Sequence, residues 1–269
     1  MPEYKSENEH RLEICEAGKW LHQKGYVAAS DGNLSVRLPD KRVLCTPTMM
    51  SKGMMRPEDL VVTDMAGRKL EGTRNVSSEI AMHLLIYDRR PDVHGVVHAH
   101  PPTATGYAAA GLPLNKALIS EVVLALGCVP LARYGTPGTP ELSEALKGLV
   151  PHYDAILMAN HGVVCSGATL LEAYFKMETV EHFARISLVT EMLGQQNLLS
   201  EGDVQKLMEA RRQYFGMDMT PARVAGCPTS ANREAEVAWM APAVEASGEG
   251  ISLTKDELKR LIGEALQKS

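Results

Sequence analysis

The sequence predicts an α/β fold in which helices pack on a mixed sheet. Short apolar runs typical of strands lie between longer segments whose apolar residues recur at helical spacing. The two kinds of segment do not alternate strictly, so a purely parallel sheet built from β-α-β units is not expected. The 269 residues, of which 45% are hydrophobic, suffice for one large core, or for one domain with an appendage.

The N-terminal third predicts a helix, a group of strands and a second helix. Apolar residues at helical spacing predict the first helix over residues 8–24, and Gly25 ends it. Three short strands follow, at residues 34–38, 42–46 and 60–63. A turn at residues 64–67 joins the last of them to another strand. The second helix starts near Ser77 and ends at Pro91.

The middle of the chain continues the mixture of elements. A buried strand carries His98 and is ended by Pro101 and Pro102. An apolar stretch covers residues 122–131, and a Gly/Pro-rich loop covers residues 134–140. Another strand is predicted at residues 155–159. Helices are predicted at residues 102–110, 141–149 and 170–193.

The composition changes after residue 216, which divides the chain into three parts. Residues 1–216 form the predicted main domain, and residues 217–250 are an extension with a linker composition. Residues 251–269 predict a short amphipathic helix, because a capping box precedes one apolar stripe. The stripe consists of Leu258, Leu261, Ile262 and Ala265, with Leu266 beside it.

Charge and cysteine content exclude several classes of protein. Lys and Arg number 28 against 33 Asp and Glu, a net charge of -5, which argues against a nucleic-acid binder. The five cysteines are scattered and form no CxxC pair, so we expect reduced thiols and a cytoplasmic protein. We expect no signal peptide and no membrane span, since no apolar run approaches about 18 residues.

Three histidines and a glutamate form a candidate metal site. His98 and His100 alternate along one strand, so both imidazoles project from the same face. His161 follows another strand, and the glycine after it would permit a tight turn that directs the ring inward. With Glu79 at a helix start, the set suits Zn²⁺, or another divalent ion such as Mn²⁺ or Co²⁺. A single buried histidine, taken alone, is more often a hydrogen-bonded core residue.

Three loops rich in small polar residues form a candidate phosphate site. Ser77 and Ser78 precede a helix, where free N–H groups and the helix dipole favour an anion. Lys52 would add a positive charge. Each loop alone also fits ordinary turn or capping chemistry, so the prediction rests on their combination. The candidate phosphate-binding residues are Gly32, Asn33, Thr48, Lys52, Ser77 and Ser78.

Five motifs together resemble the class II aldolase/adducin family over about residues 8–216. They occur in the family's order and at matching separations: DGNLSVR at 31–37, TPT at 46–48, SSE at 77–79, HAHP at 98–101 and NHG at 160–162. The resemblance implies a three-layer α/β/α fold with a central mixed, mostly antiparallel sheet. It also implies a homotetramer, with active sites between subunits.

The resemblance further implies metal-dependent retro-aldol cleavage of a phosphorylated ketose such as L-fuculose or L-rhamnulose 1-phosphate. Zn²⁺ would lie on His98, His100 and His161, with Glu79 as a ligand and as the catalytic acid/base. Breaking the C3–C4 bond would leave an enediolate that the metal stabilises, and the products would be dihydroxyacetone phosphate and an aldehyde.

Two positions depart from the fuculose-phosphate pattern, and one distant tyrosine matches it. Met49 stands where the family has a glycine after Thr48, which would crowd or reshape the phosphate loop. The tyrosine that a neighbouring subunit contributes in these aldolases would fall near Ser120, and no tyrosine is present there. Tyr214 matches a mobile C-terminal tyrosine of the family, and it is equally typical of a half-buried aromatic at a helix end.

Alternative functions remain open at the level of the sequence. A sugar-phosphate 4-epimerase of the L-ribulose-5-phosphate type, or a related dehydratase or decarboxylase, would use the same metal. An adducin-like assembly domain is disfavoured, because that class tends to lack the metal ligands that this chain retains. The helix of residues 251–269 resembles an encapsulation peptide that would bind a bacterial microcompartment shell, or it caps a subunit.

Overall fold

The computed structural model describes residues 5–215. The predicted extension of residues 217–250 and the amphipathic helix of residues 251–269 lie outside the described residues. The side chain of Tyr214 also lies outside them, although its backbone belongs to the last described helix.

The described residues form one eight-stranded sheet, seven α-helices and two short 3₁₀ helices, at Lys52–Met54 and Pro57–Asp59. The strands are β1 (Asn33–Leu38), β2 (Arg42–Cys45), β3 (Val61–Asp64), β4 (Lys69–Glu71), β5 (Gly95–Ala99), β6 (Leu131–Ala132), β7 (Ala155–Met158) and β8 (Gly162–Gly167). The helices are α1 (Glu7–Gln23), α2 (Ile80–Arg89), α3 (Pro102–Ala109), α4 (Ser120–Ala125), α5 (Pro140–Leu146), α6 (Leu170–Met192) and α7 (Glu201–Phe215). No helix of residues 5–215 is long and apolar enough to cross a lipid bilayer.

The sheet is mixed and mostly antiparallel, as predicted. Its strand order is β4-β3-β2-β1-β5-β8-β7-β6, and within it only β6 and β7 pair in parallel. The central strand β5 lies between β1 and β8 and is buried along its whole length. Neither face of this strand meets solvent, which explains its continuous apolar run.

Helices cover both faces of the sheet, which gives the three layers that the resemblance implied. Alternate residues of β5 belong to different apolar clusters, because successive side chains of a strand point to opposite faces. Val97 packs in the cluster that includes α1, α3 and α6. Val96 packs in the cluster that includes α2 and α5. His98 lies two residues beyond Val96 and therefore faces the α2 side, towards the start of that helix.

The sequence analysis missed one central strand and misplaced several boundaries. Strand β8 was not predicted, although it pairs with both β5 and β7. The apolar stretch of residues 122–131 divides into the end of α4 and a connection to β6. The second helix begins at Ile80, and Glu79 is its N-cap residue rather than part of its first turn.

Candidate active site and metal centre

The antiparallel register brings the predicted ligands to one edge of the sheet. Strand β5 ends where its two neighbours begin, so Asn33 of β1 pairs with His98 and Val163 of β8 pairs with Ala99. His161 immediately precedes β8 and therefore lies beside the end of β5. Since Glu79 caps α2 on the same side of the sheet, the four predicted ligands meet there.

The three imidazoles surround one point. Their ring centroids are separated by 4.9 Å for His98 and His100, 4.8 Å for His98 and His161, and 5.2 Å for His100 and His161. One nitrogen from each ring can be chosen so that all three lie within 4.8 Å of one another. The His98 side chain is inaccessible and that of His161 nearly so, whereas that of His100 is 26% exposed, so the site opens to solvent at His100. This arrangement confirms that the three distant histidines converge, and it can hold a metal ion.

The hydrogen bond made by His98 Nδ1 leaves Nε2, which faces the other imidazoles, available as a ligand. His98 Nδ1 donates to the carbonyl of Val163 at 2.8 Å, which places the ring proton on Nδ1 and a lone pair on Nε2. That Nε2 lies 3.2 Å from Nε2 of His100. Two lone pairs at this distance repel each other unless a proton or a cation lies near both. The donor set therefore fits a divalent ion such as Zn²⁺.

The Glu79 carboxylate faces the same point with both oxygens. Oε1 lies 3.1 Å from His161 Nε2, and Oε2 lies 3.3 Å from His98 Nε2. Oε1 is buried and accepts no hydrogen bond from the described residues. Oε2 accepts one hydrogen bond, from Asn33 Nδ2 at 2.8 Å. A buried carboxylate oxygen without a donor is costly, and a cation between it and the imidazoles would satisfy it.

The environment keeps the carboxylate ionised and His100 neutral. Burial opposes ionisation of Glu79, but the adjacent imidazoles of His161 and His98 outweigh it, so the pKa of this carboxyl lies below its usual value. Burial lowers the pKa of His100 to about 4. An anionic carboxylate beside a neutral imidazole is the protonation state that metal binding requires.

The turn that directs His161 inward uses a different residue from the one predicted. The left-handed backbone conformation occurs at Asn160, with φ 55°, and not at Gly162. Gly162 is needed for space instead, because a Cβ there would lie 2.5 Å from the ring of His100 and 2.7 Å from the carbonyl of Ala99. The glycine therefore allows β8 to approach the metal site closely.

The three predicted phosphate loops lie side by side. Pro47 pairs with Val76 in an isolated bridge, and the N–H of Thr48 donates to the carbonyl of Asn75 at 3.1 Å. Thr48 is thereby held next to the segment that contains Ser77 and Ser78, just before α2. Gly32 has φ +71°, and a Cβ on it would lie 2.8 Å from the carbonyl of His98. The turn before β1 is therefore packed against the metal site.

Lys52 connects two of these loops from inside the protein. It is 1% exposed, and its Nζ donates to the carbonyls of Ser30 at 2.8 Å and Met50 at 2.6 Å. Met49 does not crowd the loop, because its side chain is 83% exposed. Its φ of 54° lies in the region that glycine favours, which explains why a glycine suits this position.

Two residues contribute to the site in ways that the sequence analysis did not assign. Asp31 was noted only as part of a loop motif, yet its Oδ2 lies 3.4 Å from His100 Nδ1, behind the ring. Asn33 was assigned to phosphate, and its side-chain amide instead contacts Glu79. The available signal was the position of both residues beside Gly32, at the start of a strand that pairs with the His98 strand.

Ser120 begins α4, and Glu121 is exposed in its first turn.

Comparison with known families agrees with this site. Residues 12–188 match the family described as Class II Aldolase and Adducin N-terminal domain. The chain belongs to this family. The matched segment contains all five motifs and every described metal-site residue. As a member of this family with aldolase-named relatives, the chain is a class II aldolase, an enzyme of the lyase type, and members of its class depend on a divalent metal.

Individual relatives of this class II aldolase carry different activities in their names. A 3-oxo-tetronate 4-phosphate decarboxylase from Haemophilus influenzae is 36% identical over 64% of this chain and 84% of the relative. A 5-deoxy-D-ribulose 1-phosphate aldolase from Bacillus thuringiensis is 31% identical over 76% of this chain and 96% of the relative. The solved structure of an L-fuculose 1-phosphate aldolase has a TM-score of 0.70 and 31% identity, and the match covers 74% of this chain and 94% of that one.

Proposed function

We propose that this enzyme cleaves a phosphorylated ketose, such as L-fuculose or L-rhamnulose 1-phosphate, into dihydroxyacetone phosphate and an aldehyde. The observation that carries the proposal is the buried Glu79 carboxylate, which faces three convergent imidazoles. A retro-aldol reaction needs this combination of a base and a cation site, because negative charge develops on the three-carbon fragment as the C3–C4 bond breaks.

The residues of this chain have separate roles in the proposed reaction. A divalent cation bound by His98, His100 and His161 would supply Lewis-acid stabilisation of the developing charge. Glu79, which is ionised and held by Asn33, exchanges protons with the carbon and the hydroxyl of the three-carbon fragment. Tyr214 is the proposed second proton-transfer residue. The loops that contain Gly32, Asn33, Thr48, Lys52, Ser77 and Ser78 bind the phosphate group.

Decarboxylation of a 3-oxo acid 4-phosphate is the second candidate function. The Haemophilus influenzae relative bears the name of such an enzyme. Loss of carbon dioxide from a 3-oxo-tetronate 4-phosphate would leave the same three-carbon enediolate as the aldol cleavage. It would not require a base for a hydroxyl on the leaving fragment, which agrees with the missing tyrosine near Ser120. None of the three relatives described above is named as an epimerase.

Product analysis separates the candidate reactions. The metal-loaded enzyme is incubated in turn with fuculose 1-phosphate, rhamnulose 1-phosphate, ribulose 5-phosphate and a 3-oxo-tetronate 4-phosphate. Dihydroxyacetone phosphate together with an aldehyde supports the aldolase. Dihydroxyacetone phosphate together with carbon dioxide supports the decarboxylase, and an epimeric sugar phosphate without cleavage contradicts both.

The proposed role of Lys52 predicts a pH dependence of substrate binding. Burial lowers the pKa of Lys52 from 10.5 to about 8, although the charges of Asp31 and Glu79 oppose this shift. KM for a sugar phosphate is therefore expected to rise several-fold as the pH increases through about 8, because the ammonium charge is lost. In Lys52→Met, KM should be high at every pH and show no such rise.

The pH dependence of protein stability distinguishes the expected rise of KM from a loss of folded protein. Between about pH 8 and 10.5, Lys52 is largely deprotonated in the folded protein and largely protonated in the unfolded chain. The Lys52 contribution to the free energy of unfolding therefore increases with pH in this window, opposite to the expected loss of substrate binding. A KM that stays constant from pH 7 to 9.5 would contradict the role of Lys52.

We also propose a homotetramer, and a targeting role for residues 251–269. The tetramer is supported by family membership, and the targeting role by the apolar stripe of Leu258, Leu261 and Ile262. Deletion of residues 251–269 should abolish co-purification with microcompartment shell proteins and leave the tetramer intact. Loss of the tetramer without a change in shell association would instead show that the segment caps a subunit.

A further inference from the structure

A chain of buried hydrogen bonds leads from Glu79 into the protein interior. Asn33 Nδ2 donates to Glu79 Oε2 at 2.8 Å, and Asn33 Oδ1 in turn contacts Nε2 of His83. On the other side of that ring, Nδ1 lies 2.7 Å from Ser35 Oγ, which lies 2.8 Å from the hydroxyl of Tyr87. Asn33, Ser35, His83 and Tyr87 are each at most 4% exposed, so water cannot replace these partners.

One arrangement of protons satisfies every bond in this chain. The ionised Glu79 can only accept, so Asn33 presents its N–H₂ group to the carboxylate and its oxygen to His83. His83 must then carry its proton on Nε2, and its Nδ1 accepts from Ser35. Burial lowers the pKa of His83 to about 3, so the ring stays neutral. Tyr87 completes the chain by donating to Ser35.

We propose that His83 is a positioning residue that fixes the Asn33 amide and thereby holds the Glu79 carboxylate towards the three imidazoles. Glu79, His83 and Tyr87 follow one another at intervals of four residues along α2, so they share one face of that helix. The expected change in kcat rests on the proposed function. The expected change in metal affinity does not, because it follows from the geometry of the metal site.

Without His83, only the Glu79 carboxylate itself would orient the Asn33 amide. An Asn33 side chain turned by 180° would present its oxygen to the carboxylate, and two acceptors would then face each other in a buried site. Glu79 would move away from this contact, and its oxygens would lose their direction towards His98 and His161. The structure therefore gives this buried histidine a specific partner in Asn33.

Two substitutions of His83 separate positioning from simple packing. In His83→Gln, the side-chain amide can reach the place of Nε2 and still donate to Asn33. In His83→Asn, the amide is shorter and replaces only Nδ1. We expect His83→Asn to lower kcat about 10-fold with KM changed less than twofold, and to weaken Co²⁺ affinity about 10-fold. His83→Gln should recover most of both losses.

The Co²⁺ titration, which is followed through the visible absorption of the ion, requires no substrate. It therefore tests the positioning role even if no sugar phosphate proves to be a substrate, in which case the proposed function fails and this inference stands. Ile86→Ala is the matched control, because Ile86 is buried on the same helix in the apolar cluster beside it. It should lower stability through its cavity while kcat and Co²⁺ affinity stay within twofold of the wild type.

Nuclear magnetic resonance of the wild-type protein gives a measurement that does not depend on any variant folding. The ¹⁵N shifts of His83 should show a neutral ring with its proton on Nε2 from pH 5 to 8. A proton on Nδ1 would overturn the proposal. Co²⁺ affinity that is unchanged in a folded His83→Asn would overturn it as well, and so would equal losses in His83→Gln and His83→Asn.

Discussion

Replacement of Glu79 by glutamine is expected to lower kcat about a thousandfold, within the range that a general acid/base contributes. Glutamine keeps the size of the side chain, and its oxygen can still accept the hydrogen bond from Asn33. It cannot take up a proton, however, and it removes the negative charge that faces His98 and His161. The measurement is the steady-state rate at saturating substrate with the metal content of each sample determined.

Glu13→Gln is the matched control for this variant. Glu13 lies on α1 and pairs with Lys5, which precedes that helix, and neither contacts the metal-site residues; its substitution should leave kcat within twofold of the wild type. The control removes one carboxylate and therefore excludes a general effect of net charge. A Glu79→Gln enzyme that retains full activity would remove the proposed acid/base from the mechanism.

Replacement of His98 by alanine is expected to abolish stoichiometric metal binding and to lower activity by about a thousandfold or more. Several kcal/mol of charge stabilisation come from a catalytic cation, and each 1.36 kcal/mol corresponds to about tenfold in rate. The orientation of the His98 ring is fixed by the hydrogen bond from its Nδ1 to the carbonyl of Val163. Its loss leaves two imidazoles and one carboxylate around the site.

His152→Ala provides the control, since His152 is exposed on the surface and lies outside the three-histidine cluster. Elemental analysis should give one divalent ion per chain in His152→Ala and in the wild type. Treatment of the wild type with a chelator should abolish activity, and readdition of Zn²⁺, Mn²⁺ or Co²⁺ should restore it. Wild-type activity that survives complete removal of the metal would contradict the assignment.

The sequence predicted the convergence of the three histidines, because part of their geometry is simple. His98 and His100 alternate on a strand, and alternation on a strand determines the face without knowledge of the rest of the fold. His161 was placed with them because it follows another predicted strand, and the antiparallel pairing of β5 with β8 explains why it lies there. Glu79 was assigned correctly to the start of a helix, although that helix was predicted to begin near Ser77 and begins at Ile80.

The features that were missed depend on packing between distant segments. Strand β8 is buried on both faces, so its residues show no alternation of apolar and polar side chains that would predict a strand. Gly162 was assigned to a turn, because its contact with the ring of His100 is a property of two strands and not of its neighbours in sequence. The link from Asn33 to His83 joins residues 50 positions apart.

The most direct test is a crystal structure of the protein grown with Zn²⁺, with diffraction recorded on both sides of the zinc absorption edge. The account predicts one anomalous peak about 2.1 Å from a nitrogen of each of His98, His100 and His161. The Glu79 carboxylate should lie beside the ion. Strong zinc peaks elsewhere on the protein, with no peak between these three rings, would contradict it.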